Sequence, residues 1–120
     1  MKEVLSMLRT ISTDELNRLV QKGGSFVIVN VLERSSFENE HICGSINIPG
    51  GDIEKEAPKL INKSEQVIVH CSGPMCTASE SAGEKLSSMG YKNVRRFEGG
   101  IEEWKKAGHC LEGKAVKKAA

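Results

Sequence analysis

No stretch of this 120-residue chain approaches the length of apolar run needed to cross a bilayer, and Glu3 and Arg9 interrupt residues 1–12 before a signal-peptide h-region can form. These absences predict no membrane partner and a reducing, cytoplasmic setting, where cysteines act as thiols more often than as structural bridges. A clustered basic face is missing too. Basic and acidic side chains number 17 and 16, interspersed, for a net charge of +1, so nucleic acid is not an expected partner. The one local excess, Lys114, Lys117 and Lys118, comes without aromatic residues or a lipidation signal, and residues 114–120 read as a frayed, solubilising basic tail. Cys43, Cys71, Cys76 and Cys110 contain neither a C-x2-C pair nor a repeated Cys/His spacing, so no metal is expected. No other cofactor is expected. With no repeat, low-complexity tract or linker, residues 1–113 form one domain, large enough to bury roughly two thirds of its unfolded surface without disulfide support.

What is present is a strand that ends in a thiol. Val67-Ile68-Val69 is a β-branched apolar run, and His70-Cys71-Ser72-Gly73-Pro74-Met75-Cys76-Thr77 follows it as a short loop. Thr77 and Glu80 have capping-box spacing, and Ala78, Ala82, Leu86 and Met89 mark an apolar helix face that stops at Gly90. Cys71 is thus expected beneath a helix N-terminus, where unpaired N–H groups favour thiolate over thiol.

A second capping box, Ser12-Thr13-Asp14-Glu15, opens a helix carrying Leu16, Leu19 and Val20 and stopped by Gly23-Gly24. Phe26-Val27-Ile28-Val29, within residues 25–31, suits a strand covered on both faces. Residues 93–97 offer a third strand, which Arg95 and Arg96 put near a sheet edge or end. Gly99-Gly100 opens a last helix with Ile101, Trp104 and Ala107 inward and Gly108 as its stop. Strands alternating with helices predict an α/β domain, a mainly parallel sheet with helices on both faces. Ligands in such folds bind beyond the carboxyl ends of strands, the position Cys71 takes.

Three blocks carry a resemblance: His41-Ile42-Cys43-Gly44-Ser45-Ile46-Asn47-Ile48-Pro49, the Cys71 loop, and Phe97-Glu98-Gly99-Gly100-Ile101-Glu102-Glu103-Trp104 with Ala107-Gly108. Over residues 9–113 the chain resembles the rhodanese-like sulfurtransferase family. That resemblance implies a five-stranded parallel sheet flanked by helices. It also implies that Cys71 takes sulfane sulfur from a small-molecule or protein donor, holds it as a persulfide and passes it to a thiophilic acceptor. The chain departs from the family pattern at Asn30 and Leu32, where members commonly carry aspartate and arginine, so that ion pair cannot form. It departs again at Pro74, where the loop glycine is expected, and at Cys76, where the loop arginine is expected; Thr77 is retained.

The backbone of Ser72, Gly73, Met75, Cys76 and Thr77 is expected to lend N–H donors to the sulfur, and Pro74 lends none. Lowering a thiol pKa from ~8.5 to ~6.5 raises its thiolate share at pH 7 from ~3% to ~75%, so a modest field suffices. A guanidinium grips a doubly charged oxyanion best, and residues 72–84 hold neither Arg nor Lys. Thiosulfate is therefore expected to be a poor donor, persulfides and polysulfides better ones, and phosphatase or arsenate reductase chemistry is disfavoured.

Cys76 has two readings. It is a resolving thiol that attacks a modified Cys71 and leaves a disulfide, or a small residue beside the first helical turn. His70 points to the other face of its strand and is expected to pack or hydrogen-bond rather than act as a base. His41 is expected in a structural hydrogen bond, Cys43 and Cys110 as bystanders, and Trp104 in the core. Gly99 and Gly100 let backbone approach the loop closely. The rivals to sulfur transfer are a non-catalytic module that senses redox state or binds a partner, and a thiol-disulfide or polysulfide reductase that uses Cys71 and Cys76.

Overall fold

A computed structural model describes residues 8–73 and 75–116. Pro74 and tail residues 117–120 lie outside the described residues, and so do the expectations placed on them. In chain order the elements are β1 (Arg9–Thr10), α1 (Thr13–Lys22), β2 (Phe26–Asn30), α2 (Arg34–Asn39), β3 (His41–Ile42), β4 (Ile46–Asn47), a 3-10 turn (Gly50–Asp52), α3 (Ile53–Leu60), β5 (Gln66–His70), α4 (Ala78–Ser88), β6 (Val94–Arg96), α5 (Gly100–Lys106) and β7 (Leu111–Glu112).

The continuous apolar runs become the two innermost strands. β2 and β5 pair in parallel with Asn30 opposite His70, and the sheet runs β1-β6-β5-β2-β4, parallel throughout. Alternation along each strand sends Val29, Val67 and Val69 to one face, against Ile53 and Ala57 of α3 and Ala82 and Leu86 of α4. Ile28 and Ile68 go to the other, against Leu16 of α1 and Ile101 and Trp104 of α5. Both faces are covered, as an all-parallel sheet requires.

Local signals set the boundaries of α1. Ser12 Oγ accepts the Glu15 N–H at 3.1 Å, and Gly23 at φ 80 ends the helix. The capping box expected at Thr77 does not form. Thr77 sits at φ −95, ψ −2, in the helical region rather than the extended geometry that aims an N-cap oxygen at the next turn, and it makes no side-chain cap.

β6 lies next to the edge strand β1 and ends at Arg96, near an edge and an end as its arginines suggest, and alternation sends the two arginines to opposite faces. Arg95 pairs with Glu15 of α1 at 3.4 Å, and Arg96 turns under α4. Cys43 and Cys110 are not bystander thiols but form a disulfide. The antiparallel pairing of β3 with β7 brings their Cα atoms to 5.5 Å, within bridging range, across 67 residues of sequence. The fraying expected from Lys114 onward is corrected for the described residues as well, the N–H groups of Lys114 and Ala115 being bonded to the carbonyls of Glu38 and Asn39. No helix among the described residues is long and apolar enough to cross a membrane.

Candidate active site at the carboxyl edge of the sheet

β5 carries its apolar side chains up to the sheet's carboxyl edge and releases the chain at Cys71; α4 takes it up again at Ala78. Between them the backbone folds on itself, the Cys76 N–H donating to Gly73 O at 3.1 Å. α5 braces this turn from below, where the N–H of Ile101 donates to Cys71 O at 3.1 Å and that of Glu102 to Ser72 O at 2.9 Å. Gly100 makes the approach possible. Its φ is +62, and a Cβ there would stand 2.5 Å from Cys71 O and 2.7 Å from Gly73 N.

Cys71 itself is buried, only 1% exposed. Its Sγ lies 3.4 Å from Cys76 O and 3.4 Å from Ser79 Oγ. Burial pushes the Cys71 thiol above its ordinary value, and the contact with Cys76 adds to that; only Ser79 pulls the other way appreciably. Cys76 is partly exposed. Burial works against its anion too, but the Cys71 thiol and the N–H groups of Ala78 and Ser72 outweigh it, leaving Cys76 below the usual thiol range. The expectation that loop amides make Cys71 the readily ionised sulfur is therefore corrected. The turn spends the Cys76 N–H on Gly73 and directs the amides of Ser72 and Ala78 at Cys76 instead.

Of the remaining loop residues, Met75 stands at the tip, 93% exposed. Thr77 accepts the Ser81 N–H through its carbonyl. Beside Ser72 opens a cavity of about 430 Å³, lined among others by Leu32, Glu40, Glu102 and Lys105. Lys105 is held by Glu40 at 3.2 Å. Asn30 is fully buried and turns inward to accept the Leu32 N–H at 2.9 Å, so it organises the cavity wall locally.

His70 behaves as strand alternation predicts. It is fully buried, its Nδ1 meets Cys71 O at 3.2 Å, and desolvation lowers its pKa to about 4, which leaves it neutral near pH 7. His41 Nδ1 meets Phe37 O at 2.7 Å, the structural bond expected of it. Trp104 is fully buried, with Nε1 donating to Cys110 O at 2.8 Å. Among the described residues no three His, Cys, Asp or Glu side chains come together as a metal site would need.

Sequence reasoning missed Arg96. Only 8% exposed, it reaches beneath the loop, donating from Nε to Ser79 Oγ and from Nη2 to Cys76 O, each at 2.9 Å, while Nη1 meets Glu98 at 3.4 Å. The signal was present in the alternation of Val94 and Arg96, but it is legible only once β6 is known to lie beside β5.

A cysteine lodged in a strand-to-helix loop at the end of a five-stranded parallel sheet defines a thiol-bearing α/β domain. The family model "Rhodanese-like domain" matches residues 12–107, and the chain belongs to that family. It is 31% identical over 99 residues to the thiosulfate sulfurtransferase GlpE of Coxiella burnetii, covering 82% of this chain and 89% of that one. It is 29% identical to YrkF of Bacillus subtilis over 85% of this chain, and spans 54% of YrkF's length. Among solved structures, BH2092 of Bacillus halodurans superposes with a TM-score of 0.85 at 28% identity, covering 92% of this chain and 80% of that one. The rhodanese-like domain of Anabaena Alr3790 superposes with a TM-score of 0.82 at 26% identity, covering 95% and 88%.

Proposed function

We propose that the chain is a sulfurtransferase that carries sulfane sulfur as a persulfide on Cys71, with Cys76 as the partner thiol. The observation that carries this reading is Cys71 at the sheet's carboxyl edge with its Sγ 3.4 Å from the carbonyl of the second loop cysteine, Cys76, both thiols being free. Of the two, Cys71 is the one held as the thiol and Cys76 the one that ionises more readily. With Cys76 ionised, the Cys71 proton passes to it as the Cys71 sulfur attacks the outer sulfur of a donor R–S–S⁻. The donor's S–S bond breaks, R–S⁻ leaves, and Cys71–S–S⁻ remains beside a protonated Cys76. A thiol acceptor, as its thiolate, then attacks the outer sulfur and leaves with it, and Cys71 recovers its proton. Because Cys71 is 1% exposed, the turn must move aside for a donor to arrive.

Persulfides and polysulfides suit this site better than thiosulfate. The thiosulfate dianion needs an unspent guanidinium or ammonium, and each nitrogen of Arg96 is already engaged. Lys105 is paired with Glu40, and Glu102 adds negative charge to the same cavity. The closeness of the second free loop cysteine, whose carbonyl lies 3.4 Å from Cys71 Sγ, also supports a second reading, in which Cys76 attacks the Cys71 persulfide, releases sulfide and leaves a loop disulfide for a cellular thiol to reopen.

The test is to incubate wild type, Cys71→Ser and Cys76→Ser with a persulfide donor and locate the added 32-dalton sulfur by peptide mass spectrometry, a mass shift of about that size following from persulfide chemistry. Loading on Cys71, transferable to glutathione, and a fall of about a thousandfold or more in Cys71→Ser are expected. A folded wild type that never loads at residue 71 rejects sulfur transfer and leaves the binding-module reading. A loop disulfide that forms only when Cys76 is present selects the reductase.

A further inference from the structure

We infer that Arg96 and Ser79 are the positioning pair that holds negative charge on the Cys71 sulfur, in place of an arginine in the loop itself; this rests on Cys71 being the sulfur carrier. Four contacts close a ring. Arg96 Nε donates to Ser79 Oγ and Nη2 to Cys76 O, each at 2.9 Å, and the same two oxygens each lie 3.4 Å from Cys71 Sγ. Two of the guanidinium's three acceptors, all but Glu98, are thus the neighbours of the sulfur.

The ring works differently in the two states of Cys71. A hydroxyl has one proton and two lone pairs. With a lone pair taken by Arg96, the Ser79 proton is free to turn to Sγ once the thiol has given up its own. The hydroxyl, polarised by a cation behind it, is a stronger donor than an isolated serine. While Cys71 is protonated, its S–H has Cys76 O as an acceptor. Ionisation therefore costs the site one weak S–H bond and gains an O–H bond to the anion backed by full charge.

Burial supplies the second argument. Arg96 is 8% exposed in the face of the sheet built around Val69 and Ala82, and its sole carboxylate among the described residues is Glu98, 57% exposed and 3.4 Å away. A cation so placed is incompletely neutralised. A sulfur anion at Cys71 supplies the missing countercharge through one hydroxyl. A lysine is a poor substitute, because a single ammonium cannot present two parallel donors to Ser79 and Cys76 with the fixed spacing of a guanidinium. The charged or titratable groups facing the ring among the described residues are Cys76 from the loop and Glu98 beyond β6; His70, on the opposite strand face, is neutral above about pH 4.

The test is the pH profile of alkylation at Cys71, read by peptide mass spectrometry and separately from Cys76, in wild type, Arg96→Met, Arg96→Lys, Ser79→Ala and the Arg96→Met/Ser79→Ala double variant. Each of the two removals is expected to move the Cys71 midpoint up by about one pH unit, slowing alkylation about tenfold at pH 7. The double variant should shift no further than the larger single, since both act through one hydroxyl. Arg96→Lys should fall between wild type and Arg96→Met. A purely structural role would change loop opening at every pH alike and leave the midpoint in place. Superimposed midpoints, or single-variant shifts that add in full, would overturn the proposal. Should Arg96→Met fail to fold, Ser79→Ala and Arg96→Lys decide. Persulfide loading on wild-type Cys71 in the same preparations separates the outcomes. Loading with unmoved midpoints rejects this pair alone, whereas no loading rejects the sulfur-carrier reading beneath it.

Discussion

Cys43 and Cys110 are 67 residues apart in sequence and bonded, while Cys71 and Cys76 are five apart and free. The difference comes from what the backbone does between them. β3 and β7 are short antiparallel strands that hold two Cα atoms at bridging distance. The loop instead folds Cys76 into a turn with Gly73, so that its N–H is spent on Gly73 and its carbonyl is shared by Arg96 and the Cys71 sulfur. One pair fastens the C-terminal segment to the body of the domain; the other is left unbridged. A bridge of the first kind persists under oxidising conditions, and the second kind is useful only while its sulfurs are reduced.

The sharpest way to break this division is to remove the bridge. Cys43→Ala/Cys110→Ala frees a loop of 67 residues in the unfolded chain, and a loss of about 2–4 kcal/mol in urea unfolding is expected. Sulfur loading at Cys71, counted per folded molecule, should stay within about twofold of wild type. A loss of loading as deep as that of Cys71→Ser would mean that the two pairs are one device.

How far this division was legible in the sequence depends on the length of each pattern. β2 and β5 announce themselves because an apolar run of β-branched residues continues up to Asn30 and His70. α1 does so through Ser12 and Gly23, one at each end. β3 and β7 are two residues each, too short for any period, so the disulfide they create was invisible. α2 has no buried residue and hence no apolar stripe to read. At the site, the place of Cys71 followed from the strand that delivers it, whereas its ionisation did not, because that depends on how the turn and α4 bring Cys76 and Ser79 against it. Arg96 was missed at the site for a related reason. Two adjacent arginines look alike until a strand separates them to opposite faces.

Acid tests the buried framework next to the loop. His70 has a folded pKa near 4 against 6.5 for the free side chain, lowered by desolvation. Above pH 6.5 it is neutral in both states and costs nothing. As pH falls from 6.5 toward 4 the unfolded chain binds a proton that the folded chain refuses, so stability is lost through that window and levels off below it. The expected loss is about 2 kcal/mol by pH 5. Urea titrations at pH 7 and pH 5 on wild type and His70→Phe check it; equal pH dependence in the two proteins would remove His70 as the cause.

The smallest effect is expected at Arg95, and its smallness is informative. Arg95 and Arg96 share charge, strand and neighbours in sequence, yet alternation gives Arg95 a half-exposed carboxylate on α1 at 3.4 Å, whereas Arg96 gets a buried hydroxyl and a loop carbonyl. A surface pair of the first kind contributes about 0.2–1 kcal/mol and weakens with salt. Glu15→Gln should therefore cost less than about 1 kcal/mol at low ionic strength, less again at high salt, and leave the Cys71 alkylation midpoint where it was. A midpoint that moved in Glu15→Gln as it does in Arg96→Met would mean that the sulfur responds to any nearby change in charge, and that the specific route through Ser79 has no part in it.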